Sequence, residues 1–270
     1  MVKKKKKSNS GVLKTIGKVG FFILKTPYYV GKGVYNLGVK TDEKVKERKI
    51  MKKREEMKPV YEDFDILYVE KGDFKEFEDN VRNSDSLIGV ILGARGTGKT
   101  AFGIKFLENL HAKSKKKCYA MGFDSKSLPA WINNVGSVED LGNDSFVLID
   151  EGGILFNSRN FMSNANKFLS ELILIARHKN LSILFISQNS SNLEINILRQ
   201  ADFLVLKPSS LLQKNFERKI VQKIYGEAEL HFEKFKENRG ATYIYAGNFL
   251  GYVSNPLPSF WSSGLSKGFR

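Results

Sequence analysis

The residues with the clearest chemistry are Gly93 to Thr100, whose sequence GARGTGKT matches the pattern GxxxxGK[ST]. Its glycines allow backbone N–H groups to close around a phosphate, and a helix that begins there adds its positive dipole end. In this pattern Lys99 reaches the β- and γ-phosphates, and the Thr100 hydroxyl binds Mg²⁺. We therefore predict an ATP–Mg²⁺ site with these cofactor-binding residues: Gly93, Ala94, Arg95, Gly96, Thr97, Gly98, Lys99, Thr100 and Ala101. The alternative is a glycine-rich turn that contains a lysine by chance.

Two adjacent acids, Asp150 and Glu151, follow the apolar run Phe146–Ile149. If this run is a strand, Asp150 lies at the carboxyl edge of the sheet, where it can be a ligand of Mg²⁺. Glu151 can then orient and deprotonate a water molecule for attack on the γ-phosphate. Two acids after a strand can also cap a helix. Together with the phosphate loop, however, they favour hydrolysis over phosphate transfer to a small molecule.

A glutamine, Gln188, follows the apolar run Leu181–Ile186. We expect this run to be a strand between the phosphate-loop strand and the acidic strand. The side chain of Gln188 would then face the γ-phosphate and sense it or the attacking water. The alternative is an ordinary polar turn residue.

Alternating strand and helix patterns must position these residues, and they predict a parallel sheet covered on both faces. The predicted strands are Leu87–Leu92, Cys118–Phe123, Phe146–Ile149, Leu181–Ile186, Phe203–Leu206 and Thr242–Ala246. The predicted helices are Thr100–Ala112, Asn164–His178 and Ser209–Tyr225. Near the carboxyl end, two β-rich runs around Gly247-Asn248 predict a hairpin.

The charge divides the chain into regions. Residues 1–58 hold 18 Lys and Arg against 5 Asp and Glu, whereas the other residues hold 26 against 24. We predict a basic arm (1–58), a P-loop ATPase domain (59–260) and a tail (261–270). The single cysteine, Cys118, excludes a disulfide framework and is typical of a reducing compartment.

Within the arm, the lysines of residues 11–40 fall on one side of a helix and the apolar residues on the other, which predicts a basic amphipathic helix that Pro27 should break, leaving a second short segment. Such a helix is typical of a membrane-surface anchor, and docking to a capsid is a related possibility. Lysine clusters also bind any polyphosphate, so contact with DNA is the rival interpretation. Composition alone leaves lipid, capsid and DNA open.

The stretch IARHKNLSILFISQNSSNLEINILRQADFLVLK, with GARGTGKT and VLIDEGG before it, resembles the FtsK–HerA superfamily of P-loop ATPases. It is most similar to zonula occludens toxin-like proteins and to viral genome-packaging ATPases. The resemblance covers about residues 87–207. It implies a RecA-like core that works as a homo-oligomeric ring, expected to be a hexamer, and that uses ATP to move double-stranded DNA or to assemble virions.

By position, the resemblance implies the catalytic residues Lys99, Glu151 and Gln188. It also implies that Arg177 is an arginine finger that completes the site of a neighbouring subunit. Arg199 and Arg159 are the alternatives for this finger.

Three functional hypotheses follow. The first is an ATP-driven motor of a virus or mobile element that translocates or packages DNA. The second is a membrane-docked ATPase that drives virion assembly or extrusion without gripping DNA. The third is an interaction protein that binds ATP and scarcely hydrolyses it. We expect a cytoplasmic protein, with the inner face of the membrane or the virion as alternative sites.

Overall fold

The computed structural model describes residues 44–114, 116–152, 165–193 and 195–262, together with Leu265. The chain forms two compact units, which divide between Lys52 and Lys53. Of the first unit the structure describes residues 44–52, which belong to helix α1 (residues 44–56). The predicted amphipathic segment, residues 11–40, lies outside the described residues, and so does Arg159. Everything below concerns the second unit.

One sheet contains the nine strands of the described residues. They are β1 (Asp65–Gly72), β2 (Ile88–Leu92), β3 (Lys117–Met121), β4 (Ile132–Asn134), β5 (Ser145–Asp150), β6 (Leu181–Ile186), β7 (Phe203–Leu206), β8 (Ala241–Ala246) and β9 (Phe249–Ser254). Their order is β1-β9-β8-β7-β2-β6-β5-β3-β4. Strands β2 to β7 are parallel, whereas β8, β9 and β1 pair antiparallel. The predicted α/β fold, with a mostly parallel sheet and a C-terminal β-hairpin, is confirmed.

Helices cover both faces of the sheet, as predicted. They are α2 (Phe74–Asn83), α3 (Lys99–Ser114), α4 (Ala165–Lys179), α5 (Ile195–Gln200), α6 (Leu211–Phe216) and α7 (Lys219–Lys234). One apolar cluster joins α2 and α3 to the sheet, with Phe77 and Phe106 among its residues. The other joins α4, α5 and α7 to the opposite face, through residues such as Leu172, Ile197 and Ile224.

Helix α3 is buried along most of its length because the chain passes over it on the side away from the sheet. Toward the sheet, a Cβ atom on Gly103 would lie 2.9 Å from Leu148 Cδ1, so the glycine lets the helix pack closely against the sheet. On its other side, the buried Lys105 and Glu108 form an ion pair of 3.2 Å. Glu108 also accepts hydrogen bonds of 3.1 Å from the backbone N–H groups of Val60 and Ser259. This polar network fastens the segments before β1 and after β9 to the helix.

The structure corrects one predicted helix. The pattern from Ser209 to Tyr225 forms two helices, α6 and α7, because Glu217 and Arg218 between them are extended, with ψ of 160° and 145°. Arg218 is fixed there by Ser190, to which its backbone N donates at 2.9 Å and its Nε at 3.0 Å. Tertiary contacts to the loop after β6 therefore override the helical periodicity.

Strand β1 was absent from the predicted strands. It contains a short apolar run, Ile66 to Val69, which sequence reasoning passed over, and most of its residues are exposed. Its pairing with β9 at the edge of the sheet defines it. No helix in the described part of the chain combines the length and the apolar character needed to cross a membrane.

Candidate nucleotide-binding site

The loop from Gly93 to Gly98 joins the buried strand β2 to α3 and closes around the start of that helix. Gly96 and Gly98 have φ of +81° and +89°, which lie in the left-handed region that glycine adopts without a steric penalty. Within the loop, the Thr97 hydroxyl donates to the carbonyl of Ala94 at 2.7 Å. The backbone N of Phe102 donates to Gly98 O at 2.9 Å, which starts the helical hydrogen bonds. The predicted strand–loop–helix setting of the phosphate loop is therefore present.

Lys99 turns its buried side chain back toward this loop. Its Nζ donates to the carbonyls of Gly93 at 2.8 Å and Ala94 at 2.9 Å. Burial lowers the pKa of Lys99 to about 8, and the charge of Asp150 opposes this shift. The ammonium is thus held by neutral acceptors of the loop itself, and bound phosphates would offer it charged acceptors in their place.

The two acids lie at the carboxyl end of β5, on the same edge of the sheet as the phosphate loop. Asp150 is the last residue of the strand, and its Oδ1 accepts a hydrogen bond of 3.1 Å from the backbone N of Gly152. Burial raises the pKa of Glu151, and the charge of Asp150 raises it further. A carboxylate with a raised pKa is a better proton acceptor, which suits a general base.

Strand β6 lies between β2 and β5, as predicted, and Ser187 directly follows it. The hydroxyl of the buried Ser187 donates to a carboxylate oxygen of Glu151, and this bond opposes the rise in the pKa of Glu151. The backbone N of Ser187 donates to Ile91 O at 3.0 Å, which fixes the serine beside β2. Sequence reasoning passed over Ser187, although it belongs to the same polar run as Gln188.

Gln188 lies one residue farther along, and its side chain is exposed at the carboxyl end of β6. Its main-chain carbonyl accepts a hydrogen bond from Gln213 Nε2 of α6. The loop is also held by Glu217, whose Oε2 accepts from the backbone N of Ser190 at 2.7 Å. The structure thus places Gln188 at the expected edge, and its role as a sensor stays a prediction.

Arg177 and Arg199 lie far from the phosphate loop of their own chain. Each is exposed in the last turn of a helix that returns to the amino edge of the sheet, where β6 and β7 begin. The six residues of β6 span about 20 Å, which exceeds the reach of an arginine side chain. Neither arginine can therefore reach the phosphate loop of its own chain, and the finger that acts on a neighbouring subunit, with Arg177 preferred over Arg199, stays a prediction.

A further lysine, Lys207, lies behind the phosphate loop and was not predicted as a site residue. It follows β7, its side chain has no exposed surface, and its backbone N donates to Leu92 O at 2.8 Å. A Cβ atom on Gly93 would lie 2.6 Å from Lys207 Cβ, so the loop and this lysine are in close contact. The sequence signal was a lysine directly after four apolar residues, but only the tertiary structure shows that it is buried.

The donor set at this edge fits Mg²⁺. Thr100 offers a half-buried hydroxyl in the first turn of α3, and Asp150 offers a carboxylate. Mg²⁺ prefers oxygen ligands and commonly binds one or two protein groups together with nucleotide phosphates and water. In the part of the chain that the structure describes, no group of three or more His, Cys, Asp or Glu residues could hold a metal ion. A Mg²⁺ ion held by Thr100 and Asp150 would therefore depend on phosphate oxygens.

Comparison with known proteins gives matches among solved structures, whereas no family model and no curated protein matches the chain. The chain is similar to the genome-packaging NTPase B204 of Sulfolobus turreted icosahedral virus 2 in complex with sulfate. The identity is 16% and the TM-score 0.46, over 64% of this chain and 98% of that one. A KaiC-like protein of Pyrococcus horikoshii OT3 matches at 13% identity and a TM-score of 0.38, over 63% of this chain and 89% of that one. EssC of Geobacillus thermodenitrificans matches at 12% identity and a TM-score of 0.38, over 78% of this chain and 48% of that one.

Proposed function

We propose that this chain is a P-loop ATPase that hydrolyses ATP. The observation that carries the proposal is the meeting of three features at one edge of the sheet. They are the phosphate loop after β2, the acids Asp150 and Glu151 after β5, and the polar end of β6 between those strands. A nucleotide-binding module needs only the loop, whereas an adjacent base is what hydrolysis requires.

In this proposal each group has one task. The backbone of the loop and the ammonium of Lys99 bind and orient the phosphates. Glu151 accepts a proton from the attacking water, and the Ser187 hydroxyl holds the Glu151 carboxylate in position. Mg²⁺, when bound through Thr100 and Asp150, supplies charge neutralisation at the phosphate oxygens.

We further propose that ATP hydrolysis drives translocation or packaging of double-stranded DNA for a virus or mobile element. The sequence resemblance to genome-packaging ATPases supports this cargo. The resemblance also implies a ring in which Arg177 completes a neighbour's site, and the position of Arg177 at the amino edge, away from its own phosphate loop, agrees with that role. A hexamer is the form that the resemblance implies, and the cytoplasm is the location in which such a motor meets DNA.

A second candidate is a membrane-docked ATPase that drives virion assembly or extrusion. The concentration of positive charge in residues 1–58 favours it, since such an arm can lie on an anionic membrane or a capsid. The protein would then act at the inner face of the membrane or on the virion.

An ATPase assay with the full-length protein tests both candidates. Steady-state hydrolysis is measured with ATP and Mg²⁺ alone, then with duplex DNA and with anionic liposomes, and Glu151→Gln is the control. Stimulation by DNA supports the motor, and stimulation by liposomes alone supports the membrane-docked enzyme. Tight ATP binding without hydrolysis under any of these conditions would contradict both and support a nucleotide-gated interaction protein.

A further inference from the structure

Lys207 is a fully buried lysine for which the fold provides only neutral acceptors. Its Nζ donates to Asn255 Oδ1 at 2.7 Å, Gly240 O at 2.9 Å and Ala241 O at 3.4 Å. None of the ion pairs found among the described residues includes it. Burial lowers its pKa to about 7, and no neighbouring charge opposes that shift. A buried ammonium without a carboxylate is unfavourable, so burial favours the neutral amine in the free protein, and a negative charge supplied by a ligand would restore the ammonium.

The position of Lys207 identifies where that charge would come from. Its Cε and Nζ lie 3.9 Å from the position that a Cβ atom on Gly98 would occupy. Its main chain is hydrogen-bonded to Leu92, the last residue before the loop. The next residue, Pro208, accepts a hydrogen bond of 3.0 Å from the backbone N of Ala94. The lysine is therefore attached to the back of the loop that would cradle the phosphates.

We propose that Lys207 is a second lysine of the nucleotide site: a positioning residue that supports the phosphate loop from behind and whose charge the bound phosphates balance. This inference rests on the proposed binding of ATP. Because the Lys207 side chain is fully buried, its attraction to bound phosphates would act in a medium of low polarity and would be stronger than across solvent. Lys207 also connects the loop to the Gly240 turn and to the end of β9.

A second buried lysine, Lys105, offers a matched comparison on α3. It is also fully buried, but it pairs with Glu108 at 3.2 Å and with Glu62 at 3.3 Å. Its charge is therefore balanced by the protein itself. We therefore expect the charge of Lys105 to stabilise the fold, whereas the charge of Lys207 should matter for binding of phosphates.

Binding of phosphates should also change the protonation of Lys207. The charged or titratable residues on the elements around it include Lys99, Lys105 and Glu108 on α3, Tyr225 on α7, whose hydroxyl donates to Lys207 O at 3.3 Å, and Glu217 before α7, whose charge acts on Tyr225. Glu108 is paired with Lys105, and no contact or ion pair found among the described residues brings a carboxylate to the Lys207 ammonium. Its pKa of about 7 in the free protein should rise when phosphates bind, so binding at pH 8 should take up protons. The variant Lys207→Met should lose this contribution to the uptake.

The test uses the full-length protein and measures affinity for ATP and for inorganic pyrophosphate in EDTA by calorimetry, together with the melting temperature. Lys207→Met removes the charge and keeps the length of the side chain. Two of its three acceptors keep a donor, because the backbone N of Asn255 donates to Gly240 O at 3.3 Å and the Thr242 hydroxyl can then donate to Asn255 Oδ1 at 3.2 Å. We expect at least a tenfold loss of affinity for both ligands, with an unchanged or higher melting temperature. Lys105→Met should show the opposite result, a lower melting temperature with the affinity of the wild type.

Asn255→Asp is the second variant, and it keeps the lysine while placing a carboxylate beside its ammonium. This variant loses the hydrogen bond from Asn255 Nδ2 to Pro256 O, which should lower its melting temperature. Affinity is therefore measured below that temperature, and it is the quantity that decides. We expect weaker binding of both ligands and a smaller proton uptake than in the wild type. If both variants fold and bind with wild-type affinity, the proposal for Lys207 is wrong. If Lys207→Met does not fold, wild-type affinity in Asn255→Asp alone overturns the proposal. A wild-type protein that binds neither ligand would overturn the proposed ATPase function and this inference with it.

Discussion

The hydroxyl of Ser187 donates a hydrogen bond to the carboxylate of Glu151, and this contact joins the end of β6 to the end of β5. Burial and the charge of Asp150 both raise the pKa of Glu151, whereas this hydrogen bond stabilises the charged carboxylate and lowers it. The serine therefore helps to keep Glu151 deprotonated, which is the form that can accept a proton from water.

Replacing Ser187 by Ala should move the acidic limb of the pH–rate profile to higher pH. The reason is that loss of the donor leaves burial unopposed, so the pKa of Glu151 rises and the base is protonated at a pH at which the wild type is active. Ser187→Thr should keep the wild-type limb, because it keeps a hydroxyl. Ser191→Ala is the matched control, since its hydroxyl lies in the same loop but donates to Phe216 O at 2.6 Å. An unshifted limb in Ser187→Ala would show that the contact is only structural.

The two central motifs should separate binding from hydrolysis. Lys99→Ala should abolish ATP binding because it removes the ammonium that lies against the phosphate loop and is proposed to bind the phosphates. Glu151→Gln should bind ATP and lose hydrolysis by about 10²–10⁴-fold, the usual contribution of a general base. Calorimetric affinity and steady-state turnover measure the two effects. Wild-type turnover in Glu151→Gln would exclude Glu151 as the base.

Gln188→Ala should reduce turnover while leaving ATP affinity nearly unchanged, because a sensor acts mainly in the transition state. Its side chain is exposed and the contact with Gln213 uses its main-chain carbonyl, so the melting temperature should not fall. Gln213→Ala is informative beside it. Equal losses of turnover in the two variants would indicate that the loop conformation matters rather than the amide of Gln188.

Arg177 should act in trans, because its own phosphate loop lies at the opposite edge of the sheet. Arginine fingers contribute on the order of 10³–10⁵ in rate, so Arg177→Ala alone should be nearly inactive. Mixing Arg177→Ala with Lys99→Ala subunits should restore part of the activity, because some interfaces then pair an intact loop with an intact arginine. Recovery with Arg199→Ala in place of Arg177→Ala would assign the role to Arg199.

Removing residues 1–43 should leave a folded ATPase. The truncation must stop before Arg54, because its Nε donates to Leu128 O at 2.8 Å and its carbonyl accepts from Ala130 N at 3.0 Å. If the arm is a surface anchor, the full-length protein should float with anionic liposomes and the truncated protein should not. Binding should persist in part at high salt, since apolar burial is not screened.

An arm that binds DNA should behave differently in the same experiment. Counterion release makes DNA binding fall log-linearly with salt concentration. A salt series with and without competing duplex DNA distinguishes a membrane anchor from a DNA-binding arm. Loss of all flotation at moderate salt, with parallel loss of DNA retention on truncation, would contradict the anchor.

The sequence by itself determined the phosphate loop, the acidic pair and the parallel core. GARGTGKT and the acids after Phe146–Ile149 are local patterns, and the buried strands are continuous apolar runs, so each can be read without knowledge of distant residues. The position of β6 between β2 and β5 was also predicted, because a phosphate loop and an acidic pair together indicate a sheet in which a third strand lies between the two that carry them.

Only the tertiary structure decided the contacts between residues distant in sequence. Ser187 meets Glu151 because two strand ends are brought side by side, and Lys207 is buried because the Gly240 turn and Asn255 close over it. The edge strand β1 likewise depends on its pairing with β9. The break between α6 and α7 depends on the contact of Arg218 with Ser190. A lysine or a serine in the sequence has the same side chain whether it is solvated or buried. Its chemistry in the protein is set by the burial and the neighbours that folding supplies.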